Sequence, residues 1–152
     1  MPVMVWSHTF DVHASVEDIY RHGLSPDHWF TFYPAYAGLV KVEGSWPELG
    51  SVIYVRYRIL GPWTMILRQE VVVHDRESVL ELDERALGGL WLDRPRFEFR
   101  ERSDGSTEVT LTVRPDSAYL WAKPLVWLVS QPFRLVTPRA MRAFATMVER
   151  AS

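Results

Sequence analysis

Residues 117–152 read SAYLWAKPLVWLVSQPFRLVTPRAMRAFATMVERAS, and this tail decides the fold. At about 100° per residue, Leu125, Val129, Phe133, Val136, Ala140, Phe144 and Met147 fall in one stripe. Their spacings of three and four residues are those of a single buried helix face. Arg139, Arg142, Glu149 and Arg150 occupy the opposite side, so the segment is amphipathic over many turns. Nothing upstream has comparable helical reach. The preceding chain reads as short alternating strands, and a sheet with one apolar face must cover that face. The expectation is one α+β domain over residues 1–152, in which a curved antiparallel sheet of about seven strands wraps a long C-terminal helix.

The strands are legible by their period of two. From Ser51 to Leu60, Ile53, Val55, Tyr57 and Ile59 face one way and Arg56 and Arg58 the other. From Thr64 to His74, Met65, Leu67, Gln69 and Val71 share a face opposite Arg68 and Glu70. Ser78 to Arg85 sets Leu80 and Leu82 against Glu81 and Asp83. Leu90 to Arg102 carries Phe97 and Phe99 on one face, with a bulge expected near Pro95. The turn Ser103-Asp104-Gly105-Ser106 precedes a last strand from Thr107 to Arg114. At the other end, Val3 to Val12 reads as a strand and Tyr36 to Val42 as another. Between them lie two short helices. Ser15 caps the first, which Gly23 ends; Ser25-Pro26 opens the second, which carries Trp29, Phe30, Phe32 and Tyr33 before Pro34.

Composition narrows the function classes. Of the 152 residues 47% are apolar and 24% charged, as in ordinary globular proteins. A net charge of −2 without a basic tail argues against nucleic-acid binding. The absence of cysteine removes disulfides, thiolate catalysis and thiolate metal sites. The five histidines show no ligand spacing, and no Walker, GxGxxG or GxSxG motif occurs, so neither a metal nor a cofactor is expected. The start, MPVMVW, lacks a basic region and a long apolar run, and no stretch approaches membrane-spanning length; a cytoplasmic protein is the expectation. Aromatic content is high at 13%, and large rings both fill cores and line pockets for apolar or aromatic ligands.

Ala14-Ser15-Val16-Glu17-Asp18-Ile19-Tyr20, Ser25-Pro26-Asp27-His28-Trp29 with Pro34, the Gly44–Gly50 stretch and Asp104-Gly105-Ser106-Thr107-Glu108-Val109-Thr110 together form a pattern of fold landmarks. Over nearly the whole chain this pattern resembles the helix-grip fold of the START-related, or SRPBCC, superfamily. That superfamily includes polyketide cyclases and aromatases, lipid-transfer domains and birch-pollen-allergen-like proteins. The resemblance implies a cavity between the concave sheet face and the C-terminal helix. Ile53, Val55, Tyr57, Met65, Leu67, Gln69 and Val71 would line it from the sheet, with Phe97 and Phe99 beside them. Phe133, Val136, Ala140 and Phe144 would line it from the helix, and Trp29 and Phe32 would close one end.

The expected function is binding or transport of a small hydrophobic ligand (a lipid, polyketide or aromatic metabolite). One alternative is a polyketide cyclase, aromatase or dehydratase using the same cavity, with Tyr57 or Gln69 polarising a carbonyl. It ranks second because no inward-facing acid or base is evident, Glu81 and Asp83 lying on the strand face read as solvated. Gln69, polar on an apolar face, must bond a neighbour, a water or a ligand. The other alternative is a peripheral-membrane lipid shuttle. Residues 118–129 are apolar almost all round apart from Lys123. Through Ala118, Leu120, Trp121, Trp127 and Leu128 they would pack internally, form a homodimer or touch a membrane surface.

Overall fold

Alternating strands joined by short turns pair with their neighbours, and the sheet they build here is antiparallel throughout. In a computed structural model describing residues 2–152, the strands are β1 (Trp6–Val12), β2 (Tyr36–Glu43), β3 (Val52–Leu60), β4 (Trp63–Asp75), β5 (Val79–Ala86), β6 (Trp91–Asp93), β7 (Arg96–Glu101) and β8 (Thr107–Val113). The helices are α1 (Val16–His22) and α2 (Lys123–Ala151). The sheet runs β1-β8-β7-β5-β4-β3-β2, with β6 paired to β5. The eighth strand arises where the stretch from Leu90 to Arg102 divides at Pro95. Proline has no N–H to give a ladder, and the Pro95 carbonyl accepts from the Leu82 N–H at 2.9 Å.

Ser15 caps α1, its hydroxyl accepting the Asp18 N–H at 3.1 Å. The second short helix does not form. Residues 25–33 make successive turns, with Trp29 N–H on the Ser25 carbonyl at 2.8 Å and Tyr33 N–H on the Phe30 carbonyl at 3.0 Å. Phe30 interrupts any helix there with φ +68°, a left-handed conformation costly for a bulky residue.

The long helix packs with a rotation from the expected stripe. Ala140 and Phe144 are buried as anticipated, but Leu125 and Val129 are exposed; the seam runs instead through Val126, Ser130, Thr137, Met141 and Val148. Two polar residues enter it because their hydroxyls are satisfied within the helix: Ser130 donates to the Val126 carbonyl at 2.6 Å and Thr137 to the Phe133 carbonyl at 2.9 Å. α2 lies against β1 and α1. Its flank toward β3 and β4 is thus only partly covered, and a gap opens there.

Gly23 fixes where α1 meets α2. Its φ of −111° needs no glycine, but a Cβ there would sit 2.6 Å from a Phe144 ring carbon and 2.9 Å from Val148. Gly23→Ala is expected to cost about 1–3 kcal/mol by overpacking, read as a lower urea midpoint with an unchanged m-value.

Candidate functional site

The space between sheet and helix is divided. At its closed end rings fill it: the Trp29 indole lies 5.9 Å from Phe30, 6.0 Å from Phe32, 5.7 Å from Trp46 and 5.7 Å from Phe97, between centroids. Phe32 in turn meets Phe144 edge-on at 5.0 Å. The void left among these rings is about 20 Å³, the size of a single water. At the other end the space opens into a cleft of about 410 Å³. Tyr57, Ile59, Met65 and Leu67 form its sheet wall, and Val129, Pro132, Phe133 and Val136 its helix wall. Phe30, Pro34 and Ala35 close one side, and Glu84 and Trp91 lie at the floor.

Five of the residues expected from the sequence therefore meet at the cleft: Tyr57, Met65, Leu67, Phe133 and Val136. Trp29, Phe32, Ile53, Val55, Val71, Phe97, Phe99, Ala140 and Phe144 are inward as expected but pack into the core around it. Gln69 is fully buried and lies behind the floor. Its carbonyl oxygen accepts the Trp29 Nε1–H at 2.6 Å, and its Nε2 donates to Glu84 Oε1 at 2.6 Å. Its partners are thus two neighbours.

Glu84 is the residue the sequence reading missed. It continues the inward parity of Leu80 and Leu82, and register sets Gln69, Glu84 and Asp93 side by side across β4, β5 and β6. The Glu84 carboxyl is 4% exposed, with Oε2 accepting the Trp91 Nε1–H at 2.8 Å. Burial raises its pKa, partly offset by the bonds from Trp91 and Gln69. Asp93 is also buried, and its pKa is raised well above the usual carboxylate range by burial and then by the charge of Glu84. The Arg94 and Arg114 backbone N–H groups, at 2.7 and 2.8 Å from Asp93 Oδ1, work the other way. Tyr57 is pushed up to about 12 by burial and by Glu84. Burial at the floor thus favours the protonated forms of Glu84 and Tyr57. An inward-facing acid exists after all.

The two carboxylates read as solvated have close partners. Glu81 is not solvated but covered by Arg94, Arg96 and Arg114 at 3.4, 3.3 and 3.5 Å, while Asp83 turns to Arg85 at 3.1 Å. They brace the outer sheet face. Among the described residues no three of His, Asp or Glu gather closely enough to hold a metal ion.

No protein-family model and no curated protein sequence matches the chain. Solved structures do. Ara h 8.0201 superposes with a TM-score of 0.71 at 14% identity, over 95% of this chain and 97% of that one. The Zhui aromatase/cyclase from Streptomyces sp. R1128 gives 0.69 at 14% identity, over 97% and 94%. A norcoclaurine synthase from Thalictrum flavum, in complex with dopamine and hydroxybenzaldehyde, gives 0.67 at 16% identity, over 98% and 88%. At these identities the likeness is one of architecture, and it agrees with the eight-stranded curved sheet closed by a C-terminal helix: this chain has the helix-grip fold.

Proposed function

We propose that the protein binds a small hydrophobic molecule, an aromatic or polyketide-like metabolite, in the cleft between β3, β4 and α2. The observation that carries this reading is the cleft of about 410 Å³ itself, largely apolar on both walls, with Arg58 also lining it, and ending on the buried Glu84 carboxyl. Burying about 200 Å² of apolar ligand surface would contribute about 5 kcal/mol before the costs of association. A carbonyl or hydroxyl on the ligand would be oriented by Tyr57 and Glu84. The test fills the space. Val136→Trp is expected to weaken binding of the fluorescent apolar probe 8-anilino-1-naphthalenesulfonate by about tenfold at an unchanged melting temperature, because the indole occupies the volume the probe needs. Equal probe binding by wild type and variant would sink the proposal.

The buried Glu84 supports a second reading, an aldol-type cyclase. In such a closure the attacking α-carbon loses a proton, a carbon–carbon bond forms and the carbonyl oxygen gains a proton. One carboxyl that gives its proton to that oxygen and collects the one from carbon ends as it began. The two readings separate at Glu84→Gln, which abolishes turnover but leaves an apolar ligand bound.

A further inference from the structure

We infer that the mouth of the cleft docks on the surface of an anionic lipid bilayer, with the β3–β4 hairpin tip and the first half of α2 as its two contact points. Three features converge on this.

The first is exposure of large apolar side chains on both lips. Leu60 and Trp63, at the hairpin tip, are each 68% exposed, and Ile59 beside them belongs to the cleft wall. On the helix, Leu125, Leu128 and Leu135 are 55%, 61% and 81% exposed and flank Val129 and Pro132, which line the opposite wall. Monomeric proteins seldom leave so many large apolar groups together without a use for them.

The second feature is the continuation of that helical stripe. Leu125, Leu128, Pro132, Leu135, Arg139 and Arg142 follow one another at spacings of 3, 4, 3, 4 and 3, so one exposed face turns from apolar to basic along its length. Such an axial change places the leucines of the first turns where they can enter the acyl boundary and the arginines of the later turns nearer the headgroups.

The third is charge. From residue 118 to 152 there are five basic residues and one acidic, although the chain as a whole is −2. That one acid, Glu149, accepts the His13 backbone N–H at 2.8 Å. On the other lip, Arg56 and Arg58 are exposed, while Arg68 pairs with Glu70 at 3.1 Å. Among the described residues, no carboxylate pairs with Arg56, Arg58, Arg134, Arg139, Arg142 or Arg150. Both lips are thus apolar at the tip and positive behind it, which complements an anionic surface. A second copy fits less well, because a two-fold interface sets a patch against itself and brings these arginines together. No helix among the described residues is long and apolar enough to cross a membrane.

This inference goes beyond ligand binding and is tested without a ligand. In vesicle flotation, the wild-type chain is expected to bind phosphatidylcholine vesicles containing phosphatidylglycerol about tenfold better than phosphatidylcholine alone, and to be released by high salt. Trp63→Asp with Leu128→Glu should abolish flotation at an unchanged melting temperature, both side chains being solvent-facing. Arg139→Gln with Arg142→Gln should reduce it and shrink the salt effect. Wild-type chain that stays unbound, or that binds neutral and anionic vesicles alike, would overturn the inference. So would a dimer in sedimentation that Leu128→Glu dissolves while vesicles capture nothing.

Discussion

A Trp29→Ala variant is expected to lose at least ~3 kcal/mol of folding stability, a large share of what a domain of this size possesses. The indole is 1% exposed and central to the aromatic cluster that closes one end of the grip. Its removal creates a cavity among rings already held by their neighbours. It also strips the Gln69 carbonyl of its donor, and an unpaired buried acceptor carries its own cost of about 1–3 kcal/mol. The two costs share one site and do not simply add. Urea unfolding measures the sum. Trp29→Phe separates them, since it restores much of the ring volume and still leaves Gln69 unpaired. A loss below ~1 kcal/mol for the alanine variant would show that the cluster is loosely packed and that more than the cleft is open.

The second large effect is a dependence of stability on pH to which Glu84 and Asp93 both contribute. In the unfolded chain the Glu84 carboxyl titrates near 4.5, and in the folded protein burial lifts it above that. Between those two values the folded state holds a proton the unfolded state has released, so stability falls as pH rises through the window. Above the folded value both states are ionised and the loss is complete. Asp93 acts in the same direction from its ordinary 3.8 upward. Asp104 and Asp116, each held below that value in the fold, oppose it only at lower pH. The wild-type urea midpoint is therefore expected to decline as pH rises above about 4.5. Glu84→Gln should flatten the decline, leaving the part due to Asp93. It should also cost about 1–3 kcal/mol at acid pH, because one amide oxygen cannot accept from both Trp91 and Gln69. A wild-type midpoint that rises over this interval would mean that Glu84 is ionised and paired in the fold.

Much of this architecture could be read from residue spacing, and the misses have physical causes. Period-two alternation located β3, β4, β5 and β8 to within a residue or two, because one face of each strand is buried. It also placed Gln69 inward and required a partner for it. The same alternation carried one step further would have turned Glu84 inward beside Leu80 and Leu82. A charged residue near a strand end reads as solvated, and only the bonds from Gln69 and Trp91, on other strands, reverse that. Asp93 was hidden by the break at Pro95. On α2, the apolar stripe marked the right helix but not its angle. Leu125 and Val129 look like core residues, yet the seam falls on Ser130 and Thr137, whose hydroxyls are satisfied by their own helix. Helical periodicity ranks faces by hydropathy and does not know where the sheet ends. The division of the interior into a filled end and an open end depends on how rings from distant segments interlock, and no local pattern records it.

The contact between Gly23 and Phe144 has a consequence for how such a chain can change. The two positions compete for one volume: whatever is gained at the first must be surrendered at the second. A methyl added at residue 23 becomes tolerable once the benzyl group at 144 is trimmed, so substitutions there are permitted in one temporal order and forbidden in the other. Since Phe144 also touches Phe32, the bargain reaches from the closing helix through the tail to the turns beside the cleft. The dimensions of the cleft are therefore negotiated, in part, at a glycine that never faces it.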